Sequence, residues 1–157
     1  MKSLNIIMSI LLLSFFSCKT TDGVKDGEKA GEITAKLDSV NYTFVPQTAY
    51  PMIGNRSIQL DKTYSLKITK DTIESYLPYF GRAYTAPIFP DDSGIKFVST
   101  DFTYKVNKKK DMWNITIETK DTKQKTKLYL NIGSGGYASL SVQDNSRQSI
   151  SFYGLIE

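Results

Sequence analysis

The feature that most limits this chain is a period-two alternation of apolar and polar residues, repeated from Asn41 onward. Tyr64, Leu66 and Ile68 alternate with Ser65, Lys67 and Thr69. Trp113, Ile115 and Ile117 alternate with Asn114, Thr116 and Glu118, and the pattern returns in Leu128, Leu130 and Ile132 and again in Ala138, Leu140 and Val142. Successive side chains of a strand point to opposite faces, so such a run has one buried and one wet face. Turn-forming clusters separate the runs, among them Lys70-Asp71, Pro90-Asp91-Asp92-Ser93-Gly94, Gly133-Ser134-Gly135-Gly136 and Asp144-Asn145-Ser146. Strands therefore recur about every ten residues on hairpin-length connections, which describes a mainly β, single antiparallel meander. About nine or ten short strands do not lie flat. The expectation is an open or closed barrel-like domain rather than a Greek-key sandwich, because the connections are consecutively short.

Other segments join the same frame. Tyr42, Phe44 and Val45 start a first strand, and Pro46 inside it predicts an edge position or a bulge. Residues 73–77 form another strand. Ile95, Phe97 and Val98 begin one that runs on with Phe102, Tyr104 and Val106 in phase. Residues 147–156 make a last, long strand. Ahead of them, Ile33 and Leu37 stand four apart in residues 32–38, the spacing of a short amphipathic N-terminal helix.

The N-terminus has a different character. Lys2 precedes an apolar run over residues 6–16, of the length of a signal-peptide core and too short for a comfortable membrane span. Ser17 then places a small residue before Cys18, the chain's one cysteine. This pattern resembles the lipobox of bacterial lipoproteins, relaxed at Phe15 and Phe16, and implies cleavage before Cys18 and lipidation of that residue. The reading divides the chain into a lipoprotein signal peptide (1–17), a lipidated flexible tether (18–31) and a single β domain (32–157). Lys19 after the cysteine, with no Asp there, favours the outer membrane, with the domain facing the periplasm or the cell surface. Residues 19–31, with three glycines and alternating charge, are expected to reach roughly 20 Å as a coil.

Composition narrows the chemistry. The sequence has no histidine, the commonest general base and metal ligand. With Cys18 lipidated, the domain has no thiol nucleophile, disulfide or sulfur metal site. Asp91 and Asp92 are adjacent and point apart in an extended segment, so they read as turn formers rather than an acid pair. Together with Asp101 they match no calcium-loop spacing. The glycine turn at 133–136 leads into a strand, not the helix N-terminus that a phosphate cradle needs. The net charge of +4 is spread along the chain, and Lys108, Lys109 and Lys110 read as a solvated hairpin tip. A nucleic-acid partner would need a clustered basic stripe. The expectation is a protein that is not an enzyme, with no cofactor, no metal and no nucleic-acid partner.

One stretch remains unusual. Residues 77–87 (LPYFGRAYTAP) gather aromatics, one arginine, two prolines and a glycine between two strands. Tyr79, Phe80, Arg82 and Tyr84 form an amphipathic set of the kind that anchors ligands or partners. The alternative is a plug at one barrel end, with Arg82 paired to Asp91 or Asp92. Arg147 has a similar ion-pair reading.

Leu77-Pro78-Tyr79-Phe80-Gly81-Arg82-Ala83, the Gly94-Ile95-Lys96-Phe97 stretch and the closing run from Asn145 through Gly154 resemble a family of small bacterial lipoproteins, domain of unknown function 4251. The resemblance spans residues 42–156 and implies export and one mostly β domain. It supplies no activity and no site residues. The functional expectation is an envelope lipoprotein, held to the membrane by its lipid anchor, that binds a small apolar or amphipathic ligand or a peptide through Tyr79, Phe80, Arg82 and Tyr84. The alternative is a structural or assembly protein of the outer envelope that holds a protein partner through a strand edge or aromatic patch.

Overall fold

The computed structural model describes residues 22–54, 56–84, 94–123 and 125–157. Cys18 and the export segment, and Asp91 and Asp92, lie outside the described residues. Helix α1 (Asp22–Ser39) precedes ten strands: β1 (Tyr42–Pro51), β2 (Ile58–Gln59), β3 (Ser65–Ile68), β4 (Ile73–Leu77), β5 (Ile95–Ser99), β6 (Phe102–Lys109), β7 (Met112–Thr119), β8 (Lys127–Gly133), β9 (Tyr137–Asp144) and β10 (Arg147–Ile156). All belong to one antiparallel sheet, nearly closed as a barrel, in the order β5-β4-β3-β1-β10-β9-β8-β7-β6, with β2 paired to β1. The barrel expectation therefore holds. The meander is split into two runs, and β1 joins them by pairing with β10 on one side and with β3 and β2 on the other.

Closure follows from the connectivity. Because every pairing is antiparallel, strand directions alternate along the sheet, and β5 and β6 at its two edges run the same way. Only Thr100 and Asp101 separate them. They act as one bent strand that leaves β4 and joins β7, so the sheet must curl to bring its edges to the same place. The Asp121 carboxylate, from the β7–β8 loop, holds the bend. It accepts hydrogen bonds from the Ser99 hydroxyl and from the backbone N–H groups of Thr100 (2.8 Å) and Asp101 (3.1 Å). Those bonds, the one from Ser99 foremost, hold its pKa down at about 2. Curling also lets Tyr42 on β1 and Tyr104 on β6, far apart in the sheet order, join hydroxyls at 3.0 Å. Burial pushes both phenols up.

The inward residues of the alternating runs occupy the barrel interior. Phe44, Leu66, Ile117, Leu128, Leu130 and Phe152 are among those fully buried. Each such side chain is worth about 1.5–3 kcal/mol of burial. Pro46 is accommodated by a bulge between Pro46 and Thr48, not by an edge position. There β1 presses onto β10 so closely that a Cβ on Gly154 would lie 2.1 Å from the Val45 carbonyl oxygen.

Helix α1 is longer than the sequence reading. It begins at Asp22 rather than near residue 32 and takes in most of the segment expected to be a tether. Ile33 and Leu37 dock into the core, and the Glu32–Lys36 pair (2.8 Å) supports the following turn. With one end docked, propagation costs little per residue. The glycines that argued for a coil cost only about 1 kcal/mol each. Gly136, at a φ of +82° in the β8–β9 turn, leaves the space into which Ile33 packs.

Candidate functional site

Leu77 ends β4 in the core, and Pro78 cannot extend the ladder because it lacks an N–H. The chain then folds back on itself. The Tyr79 hydroxyl donates to the carbonyl oxygens of Arg82 (2.9 Å) and Gln148 (3.1 Å). Its ring occupies the place where a side chain at position 81 would lie, since a Cβ on Gly81 would sit 2.6 Å from the Tyr79 hydroxyl oxygen. That explains a glycine between two large residues. Residues 82–84 then pair with the start of β10: Gln148 N–H donates to Arg82 O (3.1 Å), Tyr84 N–H donates to Ser146 O (2.7 Å), and Ala83 bridges Arg147.

Arg147 is the hub beneath this corner. Its Nε lies 3.0 Å from the Asp144 carboxylate, whose side chain is 2% exposed. Its Nη1 donates to Gly94 O (3.0 Å), and its guanidinium lies 5.0 Å from the centre of the Tyr79 ring. The other Asp144 oxygen accepts from the Ser146 N–H and hydroxyl, both at 2.7 Å. One cation therefore ties the hairpin tip to both ends of the long β4–β5 connection, as the ion-pair reading of Arg147 anticipated. Burial, ahead of other influences, pushes the Tyr79 phenol up.

Against this rigid corner lies a surface cleft of about 460 Å³, lined by Pro51, Ile53, Gly54, Arg56, Ile58, Phe80, Gly81 and Arg82. One wall is the β1–β2 hairpin and the other is the Phe80-Gly81-Arg82 turn. The volume falls in the range of small-molecule sites. Of the four residues singled out in the sequence, Phe80 and Arg82 line the cleft. Tyr79 turns the other way and braces the corner. Tyr84 is 70% exposed and lies outside the lining. The hairpin wall went unread, because nothing local to Ile53 or Arg56 says that their loop folds over toward Phe80. Among the described residues, no group of three or more acidic or sulfur side chains is placed to hold a metal ion.

The architecture is that of a small, nearly closed antiparallel β-barrel with an N-terminal helix against its core and an amphipathic cleft beside a braced aromatic corner. The family model described as domain of unknown function (DUF4251) matches residues 24–156, and the chain belongs to that family. It is similar in fold to the crystal structure of a DUF4251 family protein from Bacteroides eggerthii DSM 20697, with a TM-score of 0.63 at 11% identity over 85% of this chain and 89% of that one. No curated protein matches the sequence.

Proposed function

We propose that this protein is a non-enzymatic binding module of the bacterial envelope that takes a small apolar or amphipathic ligand, or a short peptide, in the cleft between the β1–β2 hairpin and the Phe80 turn. The observation that carries this reading is the cleft itself: an apolar lining on a wall whose backbone is fixed by Tyr79, Gln148 and Arg147. A preformed wall lowers the ordering cost of binding. The barrel interior is occupied by large side chains, so the cleft rather than the lumen is the place for a ligand. Anchoring is part of the proposal. Lipid on Cys18 holds the domain at the outer membrane.

Native mass spectrometry of the protein isolated from its own host is expected to find a co-purifying small molecule or peptide, lost on Phe80→Ala. An unliganded mass in every preparation counts against the reading. Arg82→Ala is expected to leave the melting temperature unchanged, because its exposed side chain makes no ion pair among the described residues. Cys18→Ala is expected to release the protein from the membrane fraction.

A second reading, an assembly protein holding a partner, draws support from the stacked, exposed Tyr137 and Tyr153, with ring centres 6.1 Å apart on the outer sheet face. Loss of a co-isolated envelope protein on Tyr153→Ser, with no ligand at the cleft, would favour it.

A further inference from the structure

We infer that the cleft selects an amphipathic monocarboxylate, an aliphatic chain ending in one carboxylate. The inference rests on the cleft being the binding site and adds the chemistry of its occupant. Among the described residues of the lining, the polar side chains are two arginines, Arg56 and Arg82; the rest are Pro51, Ile53, Ile58, Phe80 and two glycines. A sugar or a peptide backbone needs hydroxyl and amide partners along its length, and among the described residues no hydroxyl or amide side chain lines this cleft. Arginine forks take phosphate as well as carboxylate, but a phosphate monoester carries nearly two negative charges and costs more to bring against hydrocarbon than a singly charged carboxylate. A carboxylate has two oxygens, which match arginine forks, and an aliphatic chain suits the remaining surface.

Charge supports the same conclusion. Four ion pairs form among the described residues, and their cations are Lys36, Lys120, Lys127 and Arg147. Arg56 and Arg82 are in none of them, although they share one apolar cleft. Two like charges at such a site are complementary to an anion. Arg82 is also held ready, because its backbone oxygen and N–H both engage Gln148, the oxygen at 3.1 Å and the N–H at 3.4 Å.

The test uses the purified full chain and a matched pair of probes, dodecanoate and dodecanol, below their aggregation limits in isothermal titration. Dodecanoate is expected to bind about tenfold or more tightly than dodecanol, the equivalent of one charge-assisted hydrogen bond. Arg56→Met and Arg82→Met are each expected to weaken dodecanoate by about tenfold and leave dodecanol unchanged. Dodecanoate affinity should also fall below about pH 5, where the ligand protonates while arginine stays charged. Equal binding of the two probes, indifferent to both arginine variants, overturns the inference and leaves the cleft standing as an apolar site. Absence of binding by both probes also overturns it, and the broader reading then fails only if the native preparation carries no ligand.

Discussion

Replacing Arg147 with methionine removes the hub of the aromatic corner while keeping a long apolar stem. Among the described residues, the Asp144 carboxylate, 2% exposed, is left with the Ser146 N–H and hydroxyl. Removing one partner of a buried pair costs about 3–5 kcal/mol. The Arg147 side chain is 15% exposed, so water reaches part of the site and the lower end of that range applies. Lost attraction to the Tyr79 ring and an abandoned Gly94 carbonyl each add about 1 kcal/mol at most. The expected loss is about 3–4 kcal/mol, which for a domain of this size lowers the melting temperature by more than about 10 °C. Urea unfolding followed by fluorescence of the buried Trp113 measures it. Asp144→Asn combined with Arg147→Met should cost only about 1–2 kcal/mol, because no uncompensated charge stays behind. Amide exchange should quicken at Tyr84 and Gln148, which tie the corner to β10, before it quickens in β7 and β8. A loss under about 1 kcal/mol for the single variant, or a double variant as costly as the two singles added, would refute the account of Arg147 as a structural clamp.

Four further outcomes follow from other parts of the molecule. Gly154→Ala should destabilise by about 1–3 kcal/mol in chemical unfolding, because its Cβ meets the Val45 backbone at 2.1 Å; Gly27→Ala, with nothing within 4 Å, should stabilise α1 by about 0.5–1 kcal/mol. The folded-state pKa of Asp121 is held down at about 2, so its contribution is complete above the ordinary carboxylate range and is lost as pH falls toward 2; Asp121→Asn should flatten that part of an acid-unfolding profile. The Tyr42 and Tyr104 phenols are raised, so the folded protein keeps protons that the unfolded chain releases, and stability should fall above about pH 10. Tyr104→Phe should weaken that alkaline loss, at a cost near neutrality of about 1 kcal/mol for the cross-barrel bond.

Much of the barrel was legible because its signal is local. The alternation in Ile115 and Ile117 or Leu128 and Leu130 is a statement about two faces, and the structure buries those residues. The place of β1 was not legible. Phe44 pairs with Ile156 from the other end of the domain, and no local pattern announces that partnership. Pro46 predicted either an edge or a bulge, and only the pairing with Gly154 decides for the bulge. The aromatic corner was legible as unusual but not in its division of labour. Tyr79 and Phe80 are neighbours of similar character, yet the hydroxyl and the gap at Gly81 turn one inward as a brace and leave the other on the cleft. The hairpin wall was hidden because its contact with Phe80 is tertiary.

The bend at Thr100 and Asp101 has a consequence for how this protein would fail. In most open sheets the two edge strands are separate liabilities, each able to recruit another chain. Here they are two halves of one strand, restrained at the bend by the Asp121 carboxylate and by Lys120, whose N–H and ammonium both engage Asp101. A proteolytic nick at that bend, or new chain ends placed there by circular permutation, would release both halves together. The product would carry two unsatisfied edges of matched direction, free to extend sheet from one molecule to the next. Protection from edge-to-edge growth would thus rest on the integrity of one short bend, and polymerisation after limited cleavage is the behaviour to expect of a damaged copy.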